Sequence, residues 1–335
     1  MPRPEPTLAQ LVGQKLVVAM AGTVPSADLL GRIRRGEVGG VILFGANITS
    51  AAEVRALTGA LHAAAAEGGQ PRLLIYVDQE GGSIKRIAWV PPTLSPPQMG
   101  EEGSAAVARA QGAATGAALQ ALGIDVDLAP VADVPASSDA FMARQSRTFS
   151  SSPEWTAILA SAFAAGLRSA EVLPVMKHFP GLGLALANTD LNVDTIDAPA
   201  AGLAPGLVPY RVAIAEGIPI IMLANATYTA LDPNAAAGWS PAISVTLLRH
   251  ALGFTGVTMT DSLDGTAKAR GVAVSGLAMA AAQAGTDLIL STGSEASTRV
   301  VYAALLAQAR AGTIEPATLE ASYRRIFALK QAPLP

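Results

Sequence analysis

The sequence predicts an α/β fold in which eight parallel strands alternate with helices and close into one barrel. Three observations carry this prediction. Short β-branched runs alternate with long alanine-rich stretches, eight such runs can be counted, and no linker divides the 335 residues. A closed barrel of this kind needs roughly 250 residues and often carries additions. We therefore expect a (β/α)8 TIM barrel, formed as a single domain over residues 1–335.

The strand candidates are short apolar runs separated by helical stretches, several of which open with Ser, Thr or Pro and close near Gly. The strands are predicted at Lys15–Met20, Gly39–Phe44, Leu73–Asp78, Ile124–Pro130, Leu173–Lys177, Pro219–Ala224, Gly256–Thr260 and Asp287–Ser291. The helices are predicted at Ala51–Glu67, Ser104–Ala121, Pro153–Ser169, Leu207–Glu216, Ser244–Leu252, Ser275–Ala284 and Ser297–Ala311. A doubly wound open sheet is the alternative, but Met20–Val24 lacks the G-x-G-x-x-G spacing that this fold places after its first strand.

Composition limits the classes of function. The formal charge is −3 with no Lys/Arg-rich block, which argues against nucleic-acid or anionic-membrane partners. The absence of cysteine excludes disulfides, thiolate metal sites and cysteine nucleophiles. No metal-binding spacing of His residues occurs, so we expect no metal and no cofactor. The sequence carries no leader pattern and no apolar run of membrane-spanning length, which predicts a soluble, cytoplasmic monomer unless a signal peptide has been removed.

Polar residues follow most of the predicted strands, at the end where barrels of this type build their active sites. Any one of them alone would be interpreted as a helix cap or a solvated turn. Together they predict one bowl of polar groups, formed by Asn47, Asp78, Asp133, Lys177 with His178, Asn225 and Asp261. Asp261 is the most informative of them, because it is an acid placed where the strand Gly256–Thr260 stops.

Five motifs in this order carry a resemblance. They are Asp78-Gln79-Glu80-Gly81-Gly82 with Arg86, Ala129-Pro130-Val131-Ala132-Asp133-Val134, Arg147-Thr148-Phe149, Lys177-His178-Phe179-Pro180-Gly181 and Gly256-Val257-Thr258-Met259-Thr260-Asp261. The set resembles the catalytic barrel of glycoside hydrolase family 3, over nearly the whole chain. The length is similar to that of the single-domain β-N-acetylglucosaminidase branch.

The resemblance implies roles for the residues that match the motifs. Asp261 would be the catalytic nucleophile of a retaining β-glycosidase, and a small-molecule carbohydrate would be the substrate. The sugar hydroxyls would be held by Asp78, Arg86, Arg147, Lys177 and His178, with Asn225 as a further contact. Structural interpretations stand beside these roles. Asp78 and Arg86 can pair across a turn, Arg147 can tie down a loop, and His178 can be a buried histidine.

One loop departs from the family pattern. In the glucosaminidase branch the loop after the fifth strand carries a second histidine and then an Asp-x-His pair, which is the general acid/base. Here Leu182 replaces that histidine, Asn188 replaces the Asp, and Asp190 replaces the His. The sixth strand ends in Asn225 where the branch usually has His. The other two histidines, His62 and His250, lie in predicted helices and should not reach the site.

Three interpretations of this loop stay open. Asp190 can itself be the acid/base beside the nucleophile Asp261, which is the one we favour. Asn188 and Asp190 can instead stabilise the loop, which would leave a catalytically impaired sugar-binding homologue or sensor. Finally, the protein can be a glycosyl transferase or phosphorylase that uses the same nucleophile, because such a reaction needs less proton donation from an acid. The expected substrate is a gluco-configured β-glycoside, with N-acetylglucosamine favoured through the resemblance alone. Three further acids, Asp125, Asp127 and Asp264, are predicted to be structural.

Overall fold

The computed structural model describes residues 5–331. In these residues eight strands form the barrel: β1 (Leu16–Ala19), β2 (Gly40–Leu43), β3 (Leu74–Val77), β4 (Val126–Asp127), β5 (Leu173–Phe179), β6 (Ile220–Leu223), β7 (Val257–Thr260) and β8 (Ile289–Ser291). Each strand is parallel to its neighbours, in the order β7-β6-β5-β4-β3-β2-β1-β8. A bridge between Met259 and Leu288 joins β7 to β8 and completes the barrel.

The structure confirms the predicted (β/α)8 barrel and all eight predicted strands. The fourth strand is much shorter than the predicted Ile124–Pro130. The residues around it nevertheless continue the ladder, since the N–H groups of Asp125 and Leu128 donate to carbonyls of β3. The ends of the predicted domain, residues 1–4 and 332–335, lie outside the described residues.

The helices surround the barrel. They are α1 (Leu8–Gly13), α2 (Ala27–Arg34), α3 (Ala51–Glu67), α4 (Pro96–Glu101), α5 (Ala105–Gln120), α6 (Phe141–Arg144), α7 (Pro153–Ser169), α8 (Ala200–Ala215), α9 (Leu263–Arg270), α10 (Val274–Gln283), α11 (Glu295–Arg310) and α12 (Pro316–Gln331). The segment Ala242–Ala251 is a π-helix. Among these described helices, none combines the length and the apolar character that crossing a membrane requires.

Helix boundaries follow capping chemistry where the sequence supplies it. Helices α3 and α7 begin and end at the predicted residues, and their caps Ser50 and Ser152 accept N–H donors from the first turn. Helix α8 was expected to begin at Leu207, but it begins at Ala200 and continues through Pro205 and Pro209. A proline inside a helix removes one hydrogen bond, which favours a start after Pro205, whereas Pro209 already lies within the predicted Leu207–Glu216. Packing of this helix against α7 and β5 outweighs that local preference.

Each strand contributes to two cores, because successive side chains point to opposite faces. In β1, Val17 and Ala19 belong to the core inside the barrel, while Leu16 and Val18 face the helices. The uppermost inner layer contains one residue from each of four alternate strands or their ends, as barrels of this type are filled. These residues are Ile42, Leu128, Met222 and Leu290.

The opposite end of the barrel is closed by α12. Ile326 packs against the inner core, and Asp287 before β8 accepts hydrogen bonds from Ser322 at 2.6 Å and Arg325 at 2.8 Å. The carboxyl ends of the strands are therefore the end at which a cleft can reach the inner layer.

Candidate active site

A cleft of about 450 Å³ opens at the carboxyl ends of the strands. Its floor is the apolar layer of Ile42, Leu128, Met222 and Leu290. Seven of the eight predicted site residues line its walls: Asp78, Arg86, Arg147, Lys177, His178, Asp190 and Asp261. The eighth, Asn225, does not line the cleft. A binding site with an apolar floor and charged walls is suited to a ligand that presents many hydroxyl groups.

Asp261 directly follows β7 at the rim of the barrel. Its N–H donates to the carbonyl of Leu223 in β6, so the backbone is still part of the sheet where the side chain emerges. One carboxylate oxygen accepts the N–H of Ser262 at 2.7 Å. The carboxylate is thus held by its own strand end and faces the cleft.

Asp190 lies on the loop that departs from the family pattern. Its N–H donates to Oδ1 of Asn188 at 2.9 Å, which is the local turn that Asn-x-Asp sequences favour. Its Oδ1 is buried and has no hydrogen-bond partner among the described residues. Burial, and then the charge of Asp261, raise the pKa of the Asp190 carboxyl to about 7. The loop therefore presents an acid that holds its proton close to neutral pH.

A charged network forms another part of the cleft wall. Lys177 donates to Asp78 at 2.8 Å and lies 2.6 Å from Glu80. The guanidinium of Arg147 donates two hydrogen bonds to the carboxylate of Glu80, at 2.8 and 2.7 Å. Burial opposes the charge on Glu80, but Arg147 and Lys177 outweigh it and lower the pKa of Glu80 to about 2. The network fixes the side chains before any ligand enters.

Arg86 lies 3.7 Å from Asp78, beyond the range of a direct hydrogen bond. Its guanidinium lies over the ring of Phe44, 5.6 Å from the ring centroid. Both Asp78 and Arg86 line the cleft. The two side chains thus form an ion pair across the hairpin of Gln79–Gly81 and Ile84–Lys85, as the structural interpretation expects, and both also face the cleft.

His178 is buried next to Lys177, and the peptide bond between the two residues is cis. Its Nδ1 lies 2.8 Å from Oδ2 of Asp133. The other carboxylate oxygen of Asp133 accepts the N–H groups of His178 and Leu182. This arrangement leaves Nε2 as the ring nitrogen available to the cleft.

Three polar residues expected in the bowl, Asn47, Asp133 and Asn225, do not line the cleft, so that part of the prediction is wrong. Each is buried and binds backbone instead of facing ligand. Asn47 accepts the N–H of Phe44 and donates to the carbonyls of Met20 and Gly22. Asn225 donates to the carbonyl of Ser262 and to the hydroxyl of Thr266. The reason is common to all three: a short polar side chain at a strand end satisfies nearby loop backbone that has no ladder partner.

The acids predicted to be structural are bonded as expected. Asp125 pairs with Arg72 and accepts the N–H of Ile75 at 2.8 Å, and Asp127 accepts the N–H of Gln79 at 2.9 Å. Asp264 lies in the first turn of α9 and accepts the N–H of Thr292. The two remaining histidines lie away from the cleft, with His62 on α3 and His250 on the π-helix.

Sequence reasoning missed the role of Glu80, although its position held a signal. Asp78 and Glu80 are two residues apart, and in extended chain such residues share a face. It also missed Thr266, for which the sequence offers no comparable pattern. Among residues 5–331, no group of three or more His, Asp or Glu side chains is arranged to hold a metal ion.

The cleft thus brings together three carboxyl groups, those of Asp78, Asp190 and Asp261, and the cationic groups of Arg86, Arg147 and Lys177. The profile of the glycosyl hydrolase family 3 N terminal domain matches residues 7–329. The chain belongs to glycosyl hydrolase family 3.

Relatives of this family 3 chain support the same placement. A protein from Arthroderma benhamiae named as an uncharacterized secreted glycosyl hydrolase is 34% identical, over 96% of this chain and 93% of its own length. A β-hexosaminidase from Xanthomonas oryzae pv. oryzae is 32% identical, over 82% of each chain.

Solved structures of the family have the same barrel. The β-N-acetylhexosaminidase of Beutenbergia cavernae superposes with a TM-score of 0.90 at 32% identity, over 98% of this chain and 100% of that one. The β-N-acetylglucosaminidase of Paenibacillus sp. gives the same TM-score at 31% identity, and the match covers 98% of this chain. The matched part is 62% of the length of the Paenibacillus chain.

Proposed function

We propose that this family 3 chain is a retaining β-glycoside hydrolase for gluco-configured sugars, with β-N-acetylglucosaminides as the preferred class. The observation that carries the proposal is the pairing of Asp190 with Asp261 in one cleft. Asp190 holds a proton near neutral pH, partly because of the charge of Asp261. The names of the relatives, a β-hexosaminidase and a β-N-acetylhexosaminidase, support the choice of sugar.

In the first step a carboxylate oxygen of Asp261 attacks the anomeric carbon while the glycosidic C–O bond breaks. Asp190 gives its proton to the departing oxygen, and a glycosyl ester forms on Asp261. In the second step water attacks the same carbon. The deprotonated Asp190 takes a proton from that water, and the ester bond to Asp261 breaks. Two inversions give net retention, and the proton of Asp190 is restored.

The charged network holds the sugar in this scheme. Asp78 accepts sugar hydroxyl protons, and Arg86, Arg147 and Lys177 donate to sugar oxygens. Lys177 and Arg147 are already fixed by Asp78 and Glu80, so little side-chain freedom is lost when the sugar binds. His178 adds a contact through Nε2, because its Nδ1 is bonded to Asp133.

Covalent trapping tests the nucleophile. A fluorinated β-glycoside with an activated leaving group should inactivate the protein, and the peptide that contains Asp261 should gain the mass of one fluoroglycosyl group. Asp261→Asn should abolish both labelling and hydrolysis of an activated aryl glycoside. Full activity of Asp261→Asn would refute the assignment.

Leaving-group dependence tests the acid. Asp190→Asn should lose on the order of 100-fold or more on a poor leaving group and far less on an activated one. Equal losses on both would make Asp190 structural, as in the impaired sugar-binding alternative. The same assays with phosphate present test the third interpretation, since release of a glycosyl phosphate would identify a phosphorylase.

A further inference from the structure

We infer that Thr266 is a positioning residue that holds the Asp190 loop over the site, through one hydrogen bond to the backbone of Thr189. Asn225 directs this bond and links it to the backbone that follows Asp261. The inference rests on the proposed role of Asp190 as the acid/base. It assigns a task to two buried residues that do not line the cleft.

Few hydrogen bonds hold the centre of the loop. Within residues 188–193 the described hydrogen bonds are local, such as those from Asp190, Leu191 and Asn192 back to Asn188. In the described part of the chain, one hydrogen bond leaves this segment. It runs from the Thr266 hydroxyl on α9 to the carbonyl of Thr189, at 3.0 Å.

The two ends of the loop are fixed independently of this bond. On one side Arg144 donates to the carbonyl of Leu186 at 2.8 Å. On the other, Thr195–Ile196 pairs with Thr227–Tyr228, and the N–H of Thr227 donates to the carbonyl of Asp194. Loss of the Thr266 bond would therefore release the centre of the loop without detaching its ends.

The direction of the bond follows from the donors present. Nδ2 of Asn225 donates one proton to the carbonyl of Ser262 at 2.7 Å and the other to the Thr266 hydroxyl at 2.8 Å. A hydroxyl has a single proton, and this one is directed at Thr189 because the hydroxyl accepts from Asn225. The flipped amide would set its oxygen against the Ser262 carbonyl, so the network also fixes the orientation of Asn225.

The backbone of Asp190 also fits closely against α9. A Cβ at Gly265 would lie 2.4 Å from the carbonyl oxygen of Asp190. The first turn of α9 thus limits how closely the loop can approach the helix, and the bond from Thr266 keeps the loop packed against it. Because Asn225 binds the Ser262 carbonyl as well, one amide connects the segment after Asp261 to the loop of Asp190.

Thr266→Val removes the hydroxyl at nearly constant volume, and Thr266→Ser retains it. We expect Thr266→Val to lose about 10-fold or more in kcat/KM on an aryl glycoside with a poor leaving group, and less than about 3-fold on an activated one. Thr266→Ser should recover most of the loss. The matched control is Thr58→Val, because Thr58 is also buried and donates to a distant carbonyl, that of Leu122 at 2.8 Å. Thr58→Val should leave the ratio of the kcat/KM values on the two substrates unchanged.

Amide hydrogen exchange gives a readout that does not depend on catalysis. Peptides that cover residues 187–194 should exchange faster in Thr266→Val than in the wild type or in Thr58→Val. Unchanged exchange, an equal loss on both substrates, or a serine variant as impaired as the valine variant would each overturn the inference.

Asp190→Asn, assayed in parallel, separates this inference from the proposed function. If Asp190→Asn shows no dependence on the leaving group, the acid assignment fails, and the positioning inference fails with it. If Asp190→Asn shows that dependence and Thr266→Val does not, only the positioning inference fails.

Discussion

The carboxylate of Asp133 lies 2.8 Å from Nδ1 of His178 and also accepts the N–H groups of His178 and Leu182. One buried acid therefore sets the ring and the backbone of the turn that follows β5. In the neutral ring this places the proton on Nδ1 and leaves Nε2 as an acceptor toward the cleft. The orientation of a histidine that lines the cleft is thus decided by a residue that does not line it.

Asp133→Asn should exchange the donor and acceptor nitrogens of the His178 ring. The amide oxygen can keep the two backbone bonds, while the amide nitrogen now donates to Nδ1 and moves the ring proton to Nε2. We expect the variant to fold and its kcat/KM to fall by about 10-fold to 100-fold, because a misplaced group in a site can reduce the rate by that much. Nitrogen NMR of the ring can report the tautomer directly, because the chain has only three histidines. An unchanged tautomer in the variant would contradict the assignment.

Glu80 should contribute stability that depends on acid pH. Its pKa is lowered from 4.5 to about 2 in the folded protein, which corresponds to about 3 kcal/mol. This stability is fully present above the unfolded pKa and is lost as the pH falls from about 4.5 through 2. Between pH 6 and pH 3 the free energy of unfolding, measured with denaturant, should fall more in the wild type than in Glu80→Gln. Other carboxyls with a lowered pKa, such as that of Asp287, contribute to both proteins. Glu101→Gln, at an exposed glutamate, should behave as the wild type.

In the proposed mechanism Asp190 acts in its protonated form, so the rate should fall as the pH rises into the alkaline range. Its pKa is raised to about 7, so the active fraction is complete below that pH and is lost as the pH rises through it. We expect kcat/KM on a poor leaving group to decline above about pH 7. When Asp261 is esterified its charge disappears, and Asp190 should then lose its proton more readily, as the second step requires. A pH–rate profile from 5 to 9 checks this, and the same alkaline decline in Asp190→Asn would count against it.

Gly265→Ala should damage catalysis through the backbone of the Asp190 loop. The added Cβ would meet the carbonyl oxygen of Asp190 at 2.4 Å and its Cβ at 3.2 Å, and a backbone atom cannot swing aside as a flexible side-chain end does. We expect about a 10-fold or greater loss on poor leaving groups. The control is Gly276→Ala on α10, where a Cβ meets nothing within 4 Å. That variant should keep its rate and gain up to about 1 kcal/mol of stability, since alanine is the better helix residue.

Much of the fold follows from the sequence. The eight strands could be predicted because both of their faces are buried, which makes each a continuous apolar run between helical stretches. The site could be located because parallel strands bring all their carboxyl ends to one rim, so that Asp78, Lys177 and Asp261 had to lie close together. The start of α8 was not predictable, because packing outweighs the helix-breaking effect of Pro205.

By itself, then, the sequence determined the barrel, the end that carries the site and the acid Asp261. Only the tertiary structure decided which strand-end side chains face the cleft, since Asp133 and Asn225 occupy similar positions and turn to the backbone. It also decided the partners of Arg147 and Thr266, which lie 67 and 77 residues away. The physical reason is that a hydrogen bond acts over about 3 Å, and side chains distant in sequence come within that range only when the barrel has packed.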